Sequence, residues 1–298
     1  MKILNYGSLN IDDTYRVEHI VRPGETVTSR SFERFPGGKG LNQSIALAQA
    51  GAPVYHGGCI GPDGAFLLDI CHGKGVDTSL IRKIDTPTGH AMIQVAEDGQ
   101  NSIVLLPGAN RMQRKEWFSA ALEGFEPGDW LLIQNEINGL CDLIPLAKAR
   151  GLRIAFNPSP FDERAAACPL ELINLFFLNE VEGEQLTGER EPEAMLEAVA
   201  ARWPGAATVL TLGAEGALFA RKEERARQPA FPAAAVDTTG AGDTFTGFFL
   251  AEWLRSASPA EALSCAAMAA SIAVTRPGAA ASIPSIAEVR QALAKQND

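Results

Sequence analysis

The stretch Ala235-Val236-Asp237-Thr238-Thr239-Gly240-Ala241-Gly242-Asp243-Thr244-Phe245-Thr246-Gly247-Phe248-Phe249 joins a glycine-rich turn to an apolar helical pattern. Phe245, Phe248, Phe249 and Trp253 recur at three- and four-residue spacing, so a helix begins at the Gly240-Ala241-Gly242 turn. The unpaired N–H groups of a first helical turn and the positive end of its dipole attract an anion, and glycines let a phosphate approach the backbone. Asp243 stands at the joint with two readings. It is either a carboxylate that takes the proton from a hydroxyl attacking bound phosphorus, or an acidic residue of the kind any first turn favours. The turn fits neither the G-x-x-x-x-G-K-[ST] nor the G-x-G-x-x-G template, so by itself it leaves both open.

A second glycine cluster lies upstream, Pro36-Gly37-Gly38-Lys39-Gly40-Leu41-Asn42-Gln43-Ser44, and opens a helix expected from Leu41 to Ala50, stopped by Gly51. Lys39 and Asn42, three residues apart, face the same way on or beside its first turn. The helix dipole opposes a lysine there, which predicts a compensating anion or hydroxyl-rich ligand; a plain turn with a solvated lysine is the alternative. Nearer the start, a strand from Lys2 to Gly7 runs into Asn10, Asp12 and Asp13, a cluster of acceptors where open α/β sheets meet their ligands. Asn and Asp are also turn residues, and Asp13 reads as one.

With 298 residues, 46% of them hydrophobic and 21% charged, the chain has the composition of a globular protein of one large domain or a main domain with an appendage. Its formal net charge of −10 argues against nucleic acid or an anionic membrane as the main partner. The five cysteines form no C-x-x-C pair, and His19, His56, His72 and His90 have no ligand spacing, so neither a disulfide framework nor a zinc site is expected. The apolar run at Met1–Gly7 is too short for a secretory leader and no other run spans a bilayer; a soluble cytoplasmic protein is expected.

Beyond Pro53 strands and helices alternate. The pattern predicts strands at Val54–Cys59, Leu80–Ile84, Trp130–Gln134, Arg153–Phe156, Leu175–Leu178 and Thr208–Leu212. Helices are predicted at Ala65–Lys74, Leu140–Arg150, Glu180–Leu186 and Pro192–Arg202, giving a parallel sheet covered on both faces. Ala260–Val274, almost entirely small or apolar, reads as a buried helix. A hairpin, His90–Ala96 and Ser102–Leu106 turning at Asp98-Gly99, and a flap or short strands over Thr14–Phe35 are too small to stand alone. Together they are expected to form a small sheet over the site, a lid of segments about 14–35 and 88–108 whose edges a second subunit covers. Polar residues recur at strand ends: Asn135-Glu136, Asn157, Asn179-Glu180 and Thr211. On spacing, Asn179 and Glu182 form a helix-capping pair.

Taken together, Gly37-Gly38-Lys39-Gly40-Leu41-Asn42-Gln43 and Asp237-Thr238-Thr239-Gly240-Ala241-Gly242-Asp243-Thr244-Phe245 resemble the two signatures of the ribokinase-like (PfkB) carbohydrate kinases. Gly7-Ser8-Leu9-Asn10-Ile11-Asp12, Pro23-Gly24-Glu25-Thr26, Asn157-Pro158 and Asn179-Glu180-Val181-Glu182 extend the resemblance along essentially the whole chain. It implies a three-layer α/β/α sandwich with a mostly parallel central sheet and a small β-sheet lid. It also implies transfer of the γ-phosphoryl of ATP to a sugar CH₂OH. By the same resemblance Asn10, Asp12, Gly38, Lys39, Asn42 and Glu136 are sugar contacts, Asp243 the catalytic base, and Gly240, Ala241 and Gly242 the anion hole. Asn179, Thr211, Gly213 and Gly216 would lie near the nucleotide, and Glu182 would help organise phosphate-bound Mg²⁺. Asp237, Thr239, Ala273, Arg276, Gly278 and Ser282 would hold K⁺, mostly through backbone carbonyls, and the family suggests a homodimer. Ribose is the first choice of acceptor. Leu41 and Ser44 stand where alanines are frequent, which keeps fructose, another ketose, deoxyribose or a nucleoside open. A non-catalytic sugar sensor on the same scaffold is the competing class, but it would have no need for Asp243.

Overall fold

The computed structural model describes residues 1–296. Its strands are β1 (Ile3–Tyr6), β2 (Asn10–Arg16), β3 (Ser31–Gly37), β4 (Val54–Ile60), β5 (Asp77–Lys83), β6 (Gly89–Val95) and β7 (Asn101–Leu106). They continue with β8 (Trp130–Gln134), β9 (Arg153–Asn157), β10 (Leu175–Asn179), β11 (Ala207–Thr211), β12 (Ala217–Arg221) and β13 (Glu224–Gln228). A nine-stranded sheet runs in the order β13-β12-β11-β10-β9-β8-β1-β4-β5, and a four-stranded sheet in the order β3-β2-β6-β7.

In the large sheet every pairing from β5 across to β11 is parallel; β12 and β13 add an antiparallel edge. Its central strands are apolar on both faces, as a sheet covered on both sides requires. Alternation sends their side chains into two cores: Trp130, Leu132, Leu175 and Phe177 enter one, and Leu131, Ile133, Phe176 and Leu178 the other. The first core is closed by helices Lys39–Gln49, Ala65–Gly73, Ala241–Ser256 and Pro259–Ala273, the second by Lys115–Leu122, Leu140–Ala149, Glu180–Thr187 and Pro192–Arg202. The result is a three-layer α/β/α sandwich. The aromatic stripe of the Ala241–Ser256 helix anchors the first core: Phe249 meets Phe177, Phe219, Phe245 and Trp253 at ring distances of 5.7, 6.0, 6.3 and 5.9 Å.

Two helices of that layer approach unusually closely. A side chain at Gly247 would bring its Cβ within 2.8 Å of the Leu47 nitrogen and 2.9 Å of the Ala46 carbonyl carbon, so glycine lets the Ala241–Ser256 helix lie against the backbone of Lys39–Gln49. One turn earlier on each helix lie Asp243 and the pair Asn42-Gln43.

The small sheet differs in detail from the expected segments. It begins at Asn10 rather than near Thr14, extends through Gly37, and contains no strand between Val17 and Arg30. Asn10 and Asp12 therefore lie within a strand of this sheet, not in a turn after β1. Asp13, which reads as a turn residue, instead pairs with Arg34 across β2 and β3 at 2.7 and 2.9 Å. The helix expected from Leu41 starts at Lys39. Cys141 and Cys168, unrelated by sequence spacing, meet with their sulfurs 2.9 Å apart. No helix among the described residues is long and apolar enough to cross a membrane.

Candidate active site

Asp243 lies in the first turn of the Ala241–Ser256 helix, which is capped by Gly240 in a left-handed conformation (φ 74°). A Cβ at Gly240 would come within 2.9 Å of the Ala279 Cβ, so backbone angle and packing both demand glycine. The Asp243 side chain is buried and both its oxygens accept amide hydrogens, from Asn42 Nδ2 at 3.0 Å and from Gln43 Nε2 at 2.9 Å. The carboxylate is thus fixed in orientation by the opposite helix, beside the free N–H groups of its own helix start.

Around it gather the residues expected on the acceptor side. Lys39 opens its helix and donates its backbone N–H to Glu136 Oε2 at 2.9 Å, while Ser8 Oγ donates to the same oxygen. Burial works against the Lys39 charge, but Asp243, Glu136 and Glu182 outweigh it and hold its pKa above the ordinary lysine value. This local field answers the helix dipole that opposes a lysine at that position. Burial pushes the Glu136 carboxyl above the usual carboxylate range against the pull of Lys39. On β2, burial first, and then the charges of Glu136 and Asp13, push Asp12 up to about 7. Asn10 is held from behind by Asn110, whose Nδ2 donates to its Oδ1 at 2.7 Å. Asn42 Oδ1 is buried with no hydrogen-bond partner. The acceptors of Asp12, Glu136 and Asn42, with the Lys39 ammonium beside Glu136, suit a ligand that offers several hydroxyl hydrogens.

On the other side of the Gly240–Gly242 turn opens a cleft of about 590 Å³. Thr211, Gly213 and Gly216 line it as expected, with Ala241 and Gly242 at the end nearest Asp243 and Phe231, Ala267, Ala270 and Val274 as apolar walls. These dimensions and walls suit a flat aromatic base with its phosphates pointing at the helix start. Asn179 is not among the lining residues. Its side chain caps the Glu180–Thr187 helix in a full capping box, accepting from the Glu182 N–H at 2.9 Å while Glu182 Oε2 accepts the Asn179 N–H at 3.0 Å. Among the described residues no three His, Cys, Asp or Glu side chains converge as around a protein-held metal ion.

The two loops expected to hold a monovalent cation are joined directly. Asp237 accepts the N–H of Thr239 and that of Gly278, each at 2.9 Å, and Val274 O accepts the N–H groups of Val236 and Asp237. Burial acts against the Asp237 charge, but the hydrogen bonds from Thr239 and Gly278 hold its pKa below the usual value. The Arg276 side chain turns away to Glu288 at 2.6 Å, so only its backbone faces this junction. Ala273 O accepts the Arg276 N–H, and Ser282 Oγ donates to Ala279 O at 2.8 Å.

Sequence reasoning missed the supports of this site. Gln43 was part of a quoted motif but carried no role, and Asn110, Asn5, Gln134 and Asn157 carried none. All are amides, and each gains meaning only from partners brought by another element.

The family model for pfkB family carbohydrate kinases matches residues 1–286. The ribokinase of Haemophilus influenzae is 36% identical over 296 residues, with 96% of each chain covered. Among solved structures, the Thermotoga maritima ribokinase matches with a TM-score of 0.86 at 33% identity, covering 98% of this chain and 99% of that one. The Arabidopsis thaliana ribokinase complexed with ribose and ATP matches with a TM-score of 0.84 at 30% identity, covering 98% of each.

The glycine turn separates fold from binding. Gly240→Ala should lose about 1–2 kcal/mol of stability through its left-handed backbone, more with the Ala279 clash. A Cβ at Gly242 meets nothing within 4 Å, so Gly242→Ala should keep its denaturation midpoint yet weaken ATP binding by intruding on the helix start. Chemical denaturation and nucleotide titration of both variants check this.

Proposed function

The chain belongs to the pfkB family of carbohydrate kinases, and we propose that it transfers the γ-phosphoryl group of ATP to the CH₂OH of D-ribose, giving ribose 5-phosphate and ADP. The observation that carries this reading is the position of Asp243. Its carboxylate lies between an anion-binding helix start and a hydroxyl-binding cluster, with both oxygens held by amides. The similarity to ribokinases at 36% identity over nearly the whole chain supports ribose as the acceptor.

Phosphoryl transfer demands alignment and charge stabilisation more than covalent chemistry. Asn10, Asp12, Gly38, Lys39, Asn42 and Glu136 hold the sugar with its CH₂OH toward Asp243. Asp243 accepts the hydroxyl proton as the oxygen–phosphorus bond forms and the bond to ADP breaks. The N–H groups of Gly240, Gly242 and Asp243 would face the charge that develops on the phosphoryl oxygens and leaving group, while that of Ala241 donates to Thr238 O and holds the turn. Thr211, Gly213 and Gly216 border the nucleotide. Mg²⁺, bound to the ATP phosphates, would supply further charge neutralisation. Glu182 suits an indirect part in holding it, because one of its oxygens is already committed to Asn179 and a single carboxylate makes no cage. The Asp237–Gly278 junction suits K⁺, which asks for carbonyl oxygens from Asp237, Thr239, Ala273, Arg276, Gly278 and Ser282. The small sheet would act as the lid, closing over the sugar to keep water from the bound ATP.

The same sheet supports a homodimer. On its β6–β7 half Met92 and Val104 on one face are 55 and 63% exposed and Ile103 and Leu105 on the other 52 and 64%, an apolar edge that a second copy of the sheet would cover. Analytical ultracentrifugation should find a dimer, and Leu105→Glu a monomer; a monomeric parent chain rejects this assembly.

The function is tested by ADP release with Mg·ATP against ribose, deoxyribose, fructose, tagatose and adenosine, with and without K⁺. Ribose should give the highest kcat/KM, and K⁺ should raise it. Asp243→Asn should lower kcat by about 10²–10⁴-fold with ribose binding retained. Near-normal turnover in that variant sinks the assignment of the base, and folded protein that binds a sugar without releasing ADP favours the sensor reading.

Asp12 sets a pH dependence. Sugar hydroxyls donate to its ionised form, so binding below the free-protein value of about 7 must expel a proton. The KM for ribose should fall as pH rises to about 7 and then level off. The slope should vanish in Asp12→Asn, which pH-dependent kinetics will check.

A further inference from the structure

Behind Asp243 runs a fully buried line of polar side chains that the reaction itself does not touch. Gln43 Nε2 donates to Asp243 Oδ1 at 2.9 Å and to Asn157 Oδ1 at 3.1 Å, and its Oε1 accepts from Gln134 Nε2 at 2.6 Å. Gln134 Nε2 also donates to Asn5 Oδ1 at 2.9 Å. Asn5 Nδ2 donates to Gly40 O at 2.7 Å and Ser44 Oγ at 2.8 Å, and Ser44 Oγ lies 2.7 Å from His56 Nδ1. Asn5, Gln43, Ser44, His56 and Gln134 are all buried without exposed surface.

The direction of the bonds from Asp243 as far as Ser44 follows from one end. A carboxylate acting as base accepts and never donates, so Gln43 must turn its NH₂ toward Asp243 and its oxygen away. That oxygen needs a donor, which only the Gln134 NH₂ supplies, and the second hydrogen of the same NH₂ then requires the oxygen of Asn5. Asn5 consequently presents its NH₂ to Ser44, whose Oγ in turn meets His56 Nδ1. Burial pushes His56 down to about 4, so its ring is neutral and closes the line without a charge. Gln134 holds this pattern at a cost, for its own Oε1 is buried without a partner. Room for it exists because the neighbouring strand β1 is followed by Gly7, where any Cβ would overlap Gln134 Oε1.

We propose that Gln134 is a positioning residue for phosphoryl transfer: by donating to Gln43 Oε1 it anchors the Gln43 amide in place and so fixes the orientation of the Asp243 carboxylate. Without that donor the buried Gln43 Oε1 loses its partner, the amide is free to shift, and the Asp243 carboxylate it holds moves off the line to the sugar hydroxyl. The role rests on Asp243 being the base of a sugar kinase.

The experiment is steady-state kinetics of Gln134→Leu and Gln134→Glu beside the parent. Gln134→Leu removes both donors at similar volume, and its kcat should fall about tenfold or more while the KM values for ribose and ATP stay within about twofold, the pattern of lost alignment rather than lost binding. Gln134→Glu can donate to Gln43 only while its carboxyl is protonated. Its kcat should therefore fall as pH rises, along a limb the parent lacks. The titratable groups around it are Asp243 and His56 at the ends of the line, with Lys39 and Glu136 across the site, and all four are present in the parent profile. A folded Gln134→Leu with parental kcat, or a Gln134→Glu profile parallel to the parent, overturns the positioning role. Should Gln134→Leu not fold, the Gln134→Glu profile decides alone. A parent that is inactive on every sugar tested, or an active Asp243→Asn, rejects the kinase reading instead, so the two failures are distinct.

Discussion

The close approach of two helix backbones at Gly247 sets the geometry on which the site depends. Side chains reach across a helix pair only within the turn where the axes come together. Here that turn places the amides of Asn42 and Gln43 within 3.0 and 2.9 Å of one carboxylate. A larger residue at Gly247 would have to push the helices apart, and the distance between Asp243 and its two amides would grow with it. The aromatic stripe that anchors the Ala241–Ser256 helix in the first core thus determines more than stability. It holds the helix start, and the N–H groups there, against the ends of the parallel strands where a polar ligand is met.

The electrostatics of the site are those of a place prepared for a ligand. Asp12, Glu136, Asp243 and Lys39 share a small, largely buried volume, and a carboxylate kept from water is costly unless a cation or several hydrogen bonds compensate. Lys39 gives that compensation in part to Glu136, while burial and the charges of Glu136 and Asp13 push Asp12 up without it. Asp237 is the contrast. Two backbone N–H groups satisfy it, its pKa is lowered, and it ties two loops together.

How much of this was legible in the sequence follows from where each signal resides. The helix start at Gly240, the lysine at the head of the second glycine cluster and the parallel alternation are local patterns, and each is present in the structure. The N-x-x-E spacing gave the capping box of Asn179 and Glu182, although the resemblance had pointed Asn179 toward the nucleotide. The small sheet was placed too late in the chain because Asn10 and Asp12 carry turn chemistry, yet cross-strand partners hold them extended. Strands β12 and β13 went unread; the second, Glu-Arg-Ala-Arg-Gln, alternates charge at a sheet edge and has no apolar face to announce it. Least legible were Asn5, Gln134 and His56. They sit on three different strands, and nothing in their own neighbourhoods marks them until the fold brings them into one line. Ser44, noted only as a departure from the alanine frequent in the family, proves to be the link between Asn5 and His56.

The joints between the two sheets are short. Gly7, Ser8 and Leu9 separate β1 from β2, Gly38 alone separates β3 from the helix that begins at Lys39, residues 84–88 join β5 to β6, and Pro107 separates β7 from the turn at Gly108. In kinematic terms the small sheet is a stiff panel on brief struts rather than a flap on a tether. Any rotation of the panel must be absorbed at these few backbone positions, so Asn10 and Asp12 travel as part of it while Lys39 stays with the body. Opening such a panel would part Asn10 and Asp12 from Lys39 along a single seam, both together.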